Sequence, residues 1–136
     1  MMQFETRYFK KLSFTPEQIE ANIKNAEKAL AIAGKDRISE VIFDYSYKAI
    51  IKAGIALLSK HNYKVKSSPG HHIKIIEALA VILGDRTIAQ DADVMREKRN
   101  MDFYSGGIEV SDTEAGEYLA FAEKIVHAAR KIIGKP

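Results

Sequence analysis

Apolar residues recur along this chain at the three- and four-residue steps of amphipathic helices, and turn residues divide the pattern into five stretches. Thr15, Pro16, Glu17 and Gln18 make a capping-box start with proline at the first helical position, after which Ile19, Ile23, Ala26, Leu30 and Ala33 share one face until Gly34. The next stretch, Arg37 to His61, is apolar on most sides, which predicts a central helix. Its Gly54 costs about 1 kcal/mol relative to alanine, so a close approach by a neighbouring backbone is expected there. Asn62 to Ser67 reads as a polar connection, and Ser68 with Pro69 opens a short, strongly apolar helix through Ile73, Ile76, Leu79, Ala80 and Leu83 to Gly84. Thr87 starts a fourth helix ended by Gly106 and Gly107, and a second capping box, Ser111 with Glu114, opens a fifth that runs to Ile133 and Gly134. Only Ile108 to Val110 carries a trace of strand alternation. The expected fold is all-α: one domain over residues 1–136, an antiparallel up-and-down bundle of four main helices plus a shorter one.

Composition narrows the function classes. With 136 residues and 46% hydrophobic content, the chain can bury one real core. The absence of cysteine excludes disulfides and thiolate metal sites. The longest apolar run is Ala78 to Leu83, so no signal peptide or membrane span is expected and the location read from the sequence is cytoplasmic. A net charge of +3 is too mild to argue for nucleic acid by itself. Its distribution says more. No acid lies between Asp44 and Glu77, whereas Lys48, Lys52, Lys60, Lys64, Lys66, Lys74, His61, His71 and His72 all do. That segment is either a solvated face balanced by acids from elsewhere or a surface turned toward a polyanion.

The fourth helix holds the main chemical signal. Ile88, Ala92, Met95, Arg99 and Phe103 follow one another at helical steps, so Arg99 occupies a position the pattern reserves for an apolar side chain. Arg96 stands one turn earlier on the same side. A guanidinium does not shed its proton on burial, so both arginines need partners or a cleft. Asn100 and Asp102 add hydrogen-bonding groups, and Tyr104 lies about 140° round an ideal helix from Arg99, within reach if the last turn loosens at the glycines. The competing reading pairs Arg96 and Arg99 with buried acids such as Asp44 or Asp93, purely to hold helices together.

Other constellations are weaker. Asp91 and Asp93 point about 200° apart on a helix, and adjacent His71 and His72 are poor partners for one ion, so neither metal nor cofactor is expected. The helix start near Pro69 offers a positive dipole end beside His71, His72 and Lys74 that could hold a phosphate, although a solvent-exposed helix start is the simpler and preferred reading.

Arg99, Asn100 and Tyr104 in RNMDFY resemble the signature of the HEPN superfamily, an arginine often followed by a polar residue, with four to six residues between it and a histidine. SYKAIIKAGIALL, Ser46 to Leu58, is similar to the alanine-rich second helix of small stand-alone HEPN proteins, and GHHIKIIEAL, Gly70 to Leu79, to their histidine-led third helix. Together these cover most of Ser46 to Gly107 in the family's order. The resemblance implies an up-and-down helical bundle, commonly a homodimer whose arginine motifs meet at a shared cleft. It also implies RNA or nucleotide as ligand. Many members are metal-independent endoribonucleases of toxin–antitoxin or defence systems, often encoded with a minimal nucleotidyltransferase, and others only bind.

The chain departs from the catalytic pattern where it has Tyr104 in place of histidine. Metal-free RNA cleavage needs a base for the 2′-hydroxyl proton and an acid for the departing oxygen, tasks that suit imidazole. A phenol with a pKa of about 10 can donate a proton but is a poor base at neutral pH. Recognition is therefore the favoured reading: Arg99 clamps phosphate, Arg96 and Lys98 add field, Asn100 orients Arg99 or a base, and Tyr104 donates a hydrogen bond or stacks. The alternative is an active ribonuclease in which Arg99 stabilises the pentavalent phosphate and Tyr104, His71 or His72 handles protons. A third reading is a structural interaction module.

Overall fold

The computed structural model describes residues 4–107 and 109–135, with the side chains of 102–105 outside that description. Five helices dominate: α1 Pro16–Lys35, α2 Ser39–Lys60, α3 His71–Leu83, α4 Arg86–Ser105 and α5 Asp112–Ile133. Both capping boxes form as the sequence predicts. Thr15 accepts from the Gln18 amide while Gln18 reaches back to Thr15, and Ser111 and Glu114 make the same reciprocal pair. Three helix starts differ from the sequence reading by one or two residues. At α2, Asp36 accepts from the Ile38 amide, so the chain is held in a turn and the helix begins at Ser39. At α3, Ser68 to Gly70 close a turn with Gly70 left-handed at φ 79°, which places the first helical residue at His71. At α4, Asp85 is the cap, accepting from both the amide and hydroxyl of Thr87.

Two short strands depart from the expectation. β1, Phe9–Lys11, pairs antiparallel with β2, Tyr63–Val65, within the segment read as a polar connection. Of the stretch expected to carry a strand trace, Glu109 and Val110 are irregular and Ile108 lies outside the described residues. Strands of three residues are too short for alternation to declare them; the partners stand some fifty residues apart, and burial of Phe9 and Tyr63 against the core decides the pairing.

The directions of the four long helices alternate. Arg130 near the end of α5 grips Glu20 and Glu27 on α1, and Ser39 and Asp112 join the starts of α2 and α5. Lys98 near the end of α4 meets Glu114 at the start of α5. Helix α2 is the hub, packed against α1, α5, α3 and β2, whereas α4 rests chiefly on α3 and touches α2 only lightly. The core follows from this: Ile23, Tyr47, Ile50, Leu57, Leu58, Ile75, Leu79, Met95, Ile125 and Val126 are essentially sealed from water. The close approach expected at Gly54 is present. A Cβ there would stand 2.5 Å from the Cγ2 methyl of Ile75 and 3.5 Å from its carbonyl oxygen, so the nearest neighbour is a branched, buried side chain.

Gly54→Ala gains about 1 kcal/mol of helix propensity but forces that methyl aside, an overpacking cost of about 1–3 kcal/mol. The expected result is a melting temperature lowered by several degrees, part of it restored in Gly54→Ala with Ile75→Leu, which removes the opposing methyl. Thermal unfolding followed by circular dichroism checks both, and a stabilised Gly54→Ala would contradict the packing.

Candidate functional site

Helix α4 buries Ile88, Ala92 and Met95 in succession, and the next step along that stripe is Arg99. Because the stripe runs out of the core beside the first turns of α2, the guanidinium emerges over Asp44 and Tyr47. Arg99 Nε stands 4.0 Å from an Asp44 carboxylate oxygen, and its side chain is 30% exposed. Its Cζ lies 5.6 Å from the centre of the Tyr47 ring, in cation–π range. Arg96 faces inward one turn earlier and donates through Nε to Asp93 at 2.6 Å, with Glu97 at 3.9 Å. That bond holds its pKa above the ordinary arginine value. Asp44 and Asp93 are the acids that the interhelical reading named, but they are 40% and 39% exposed instead of buried, the Arg96–Asp93 pair lies within α4, and neither arginine is sealed off from water.

Beneath Arg99, Tyr47 is buried at 1% exposure and its hydroxyl meets Nδ1 of His72 at 3.0 Å. Burial pushes the phenol up to about 12 against the opposing pull of Arg99 and Arg96. The imidazole moves the other way. Burial first, then the positive charge of His71, Arg99 and Arg96, takes His72 down to about 4, so at neutral pH both members of the pair are uncharged. With the phenol as donor, the remaining proton of His72 sits on Nε2, which then serves as a hydrogen-bond donor. His71 packs its ring 4.6 Å from that of His72 and bonds through Nδ1 to the Ser68 carbonyl, which can only accept, so Nδ1 carries the proton.

The arrangement thus joins Arg99, Arg96, Tyr47, His72 and Asp44 where α2, α3 and α4 meet. His72, which the sequence offered as a stand-in imidazole, belongs to it. Other expected members are elsewhere. Lys98 bonds Glu114 at 3.1 Å and lies over Tyr118, engaged with α5. Lys74 lies 4.2 Å from the Tyr8 ring centre and is paired with Glu77 and Glu5, turned toward the amino-terminal segment. Asn100 is exposed on α4. Tyr104 falls in the last turn of α4, and its side chain, like that of Asp102, lies outside the described residues. Sequence reading missed Tyr47 as a site residue. Its signal was a hydroxyl on the broad apolar face of α2, which cannot be buried without a hydrogen-bond partner.

Among the described residues no three His, Asp or Glu side chains are placed to hold a metal ion, and Asp93 is engaged by Arg96. No helix among them is long and apolar enough to cross a membrane. No protein-family model matches the chain, and neither curated proteins nor solved structures return a similar one.

The lowered pKa of His72 has a sign. The unfolded chain takes up its proton near pH 6.5 while the folded one resists until about pH 4, so stability falls as pH drops across that window. The expected outcome is a melting temperature that declines between pH 6.5 and 4, with a shallower decline in His72→Gln. By NMR, the His72 ring resonance should stay flat through pH 6; a titration near 6.5 would contradict the burial of this imidazole.

Proposed function

We propose that this chain is a HEPN-like helical protein that recognises the phosphate of RNA or a nucleotide at the junction of α2, α3 and α4. The observation that carries the reading is the half-exposed Arg99 guanidinium over buried Tyr47, with neutral His72 hydrogen-bonded to that phenol. A planar cation reachable from solvent suits a phosphate, and an adjacent imidazole N–H adds a neutral donor. Tyr104, one turn beyond Arg99, is assigned the hydrogen-bonding or stacking role that its position after Asn100 suggests.

The ion pair of Arg99 with Asp44 is 4.0 Å long with both side chains at least 30% exposed, and one such pair contributes about 0–1 kcal/mol, so the guanidinium stays reachable by a ligand. Cleavage is the second reading, favoured by the one imidazole at the site. A folded pKa of about 4 leaves His72 in the base form at neutral pH but makes it a weak base, so proton abstraction would be slow unless a bound ligand raises it.

In the proposed setting the protein is cytoplasmic and forms a homodimer, alone or beside a minimal nucleotidyltransferase, within a toxin–antitoxin or defence system. Val94 and Met101, 56% and 59% exposed two turns apart on α4, support self-association next to the arginines.

Incubation with structured RNA in EDTA separates these readings. Expected is binding without cleavage, with Arg99→Ala weakening it on the order of tenfold or more, the worth of a charged hydrogen bond. Arg99→Lys should be intermediate and the melting temperature should fall by only a few degrees. Cleavage that disappears in Arg99→Ala and His72→Gln establishes the ribonuclease; unchanged binding in Arg99→Ala refutes the site. Separately, sedimentation should give a dimer for the native chain and a monomer for Val94→Glu with Met101→Glu.

A further inference from the structure

The arginine junction leaves unused a hollow that opens beside it. Between α1, α2, β2 and the start of α3 lies a cavity of about 380 Å3. Ile51, Leu58 and Ile75 form its floor, and Leu12 and Ile55, exposed at 41% and 37%, belong to its walls. Phe14 and His71 offer flat ring faces, and Asn22 offers an amide able both to donate and to accept. Such a site suits a planar group with a polar edge.

Charge indicates what the planar group is attached to. Lys64 lines the cavity, and the strand register places it directly opposite Lys10. Like charges directly across a strand pair are destabilising, and an anion between them relieves the repulsion. Among the described residues no carboxylate stands within ion-pair distance of either lysine. At another boundary of the cavity stands His72, bonded to the phenol over which Arg99 lies. On α2, Asp44, Tyr47, Ile51, Ile55 and Leu58 follow at steps of three and four, so a single helix face leads from the arginine to the hollow. The hollow is therefore apolar, with the Lys64 cation on its border and a second cation, Arg99, beyond His72 and Tyr47 on the other side. A fatty acid or aromatic carboxylate carries its charge at one end. A nucleotide within a strand carries a flat heterocycle with phosphate on both sides.

We propose that this cavity receives one unstacked base of a single-stranded RNA, whose neighbouring phosphates lie on the Lys10–Lys64 pair and on Arg99. The inference rests on the RNA-binding reading above and deepens it: the ligand is a polymer, and a base contributes to affinity as well as its backbone. Stacking in such a site is sequence-tolerant, because every base presents a flat face.

The test uses fluorescence anisotropy with a fluorescein-labelled eight-nucleotide RNA and the same backbone made abasic at its central positions. The native chain should bind the intact strand at least about fivefold more tightly than the abasic one. Leu12→Ala with Ile55→Ala, both at exposed positions and checked by thermal melting, should bind the two strands alike. Lys10→Gln with Lys64→Gln should weaken both strands equally and lower the salt slope by about 0.7, as expected for one lost phosphate contact on a single strand. Equal affinity of the native chain for intact and abasic RNA overturns the base pocket. If Arg99→Ala still weakens binding in that case, the phosphate reading survives alone; if the native chain binds neither strand, both fall.

Discussion

Enclosure of α2 by its neighbours is the constraint on which the rest of the structure depends. A helix surrounded on most sides can be packed only if its backbone is approached closely, and Ala49, Ala53, Gly54 and Ala56, all buried, make that approach possible. Gly54 admits Ile75 so tightly that a methyl group would not fit. The start of α3 is thereby drawn onto the middle of α2, and His72 meets Tyr47. Were α3 held off by a larger residue at position 54, the phenol would lose its partner and the imidazole would return to water.

The electrostatics at the junction follow from that packing. Two cations, Arg96 and Arg99, sit beside two ionisable groups that burial keeps neutral, with the carboxylates of Asp93, Glu97 and Asp44 at the border. Charging His72 would bury a cation and add it to this cluster, so burial first and the neighbouring positive charges second make it resist protonation. Under the proposed phosphate-binding reading, an anion would meet the His72 imidazole already oriented by its hydrogen bond with Tyr47. A buried phenol with a single partner is stiff, and stiffness of this kind lowers the ordering cost of binding.

Arg130 shows the contrasting case. It donates to Glu20 through Nη1 and Nη2 and to Glu27 through Nε and the same Nη2, so all three guanidinium nitrogens meet carboxylates from α1. Both arginines occur near the end of a helix, but Glu20 and Glu27 lie two turns apart on the face that α1 turns toward α5, so two carboxylates converge on Arg130, whereas the Asp44 carboxylate stands 4.0 Å from Arg99.

The helices were readable because capping boxes, apolar stripes and stopping glycines act within a few residues, and local signals of that range survive folding. Ser111 with Glu114 and Gly106 behave as their side chains dictate. Arg99 was also readable, as a charge on an apolar stripe. Strands β1 and β2, the partnership of Tyr47 with His72, and the meeting of Lys10 with Lys64 were not, because each joins residues more than twenty positions apart. By itself the chain determined which segments coil, where they stop and that one guanidinium must emerge from a buried face. Only the tertiary structure decided which side chains surround that guanidinium and what hollow opens beside it, since contact between distant segments depends on how whole helices pack, a property no local spacing encodes.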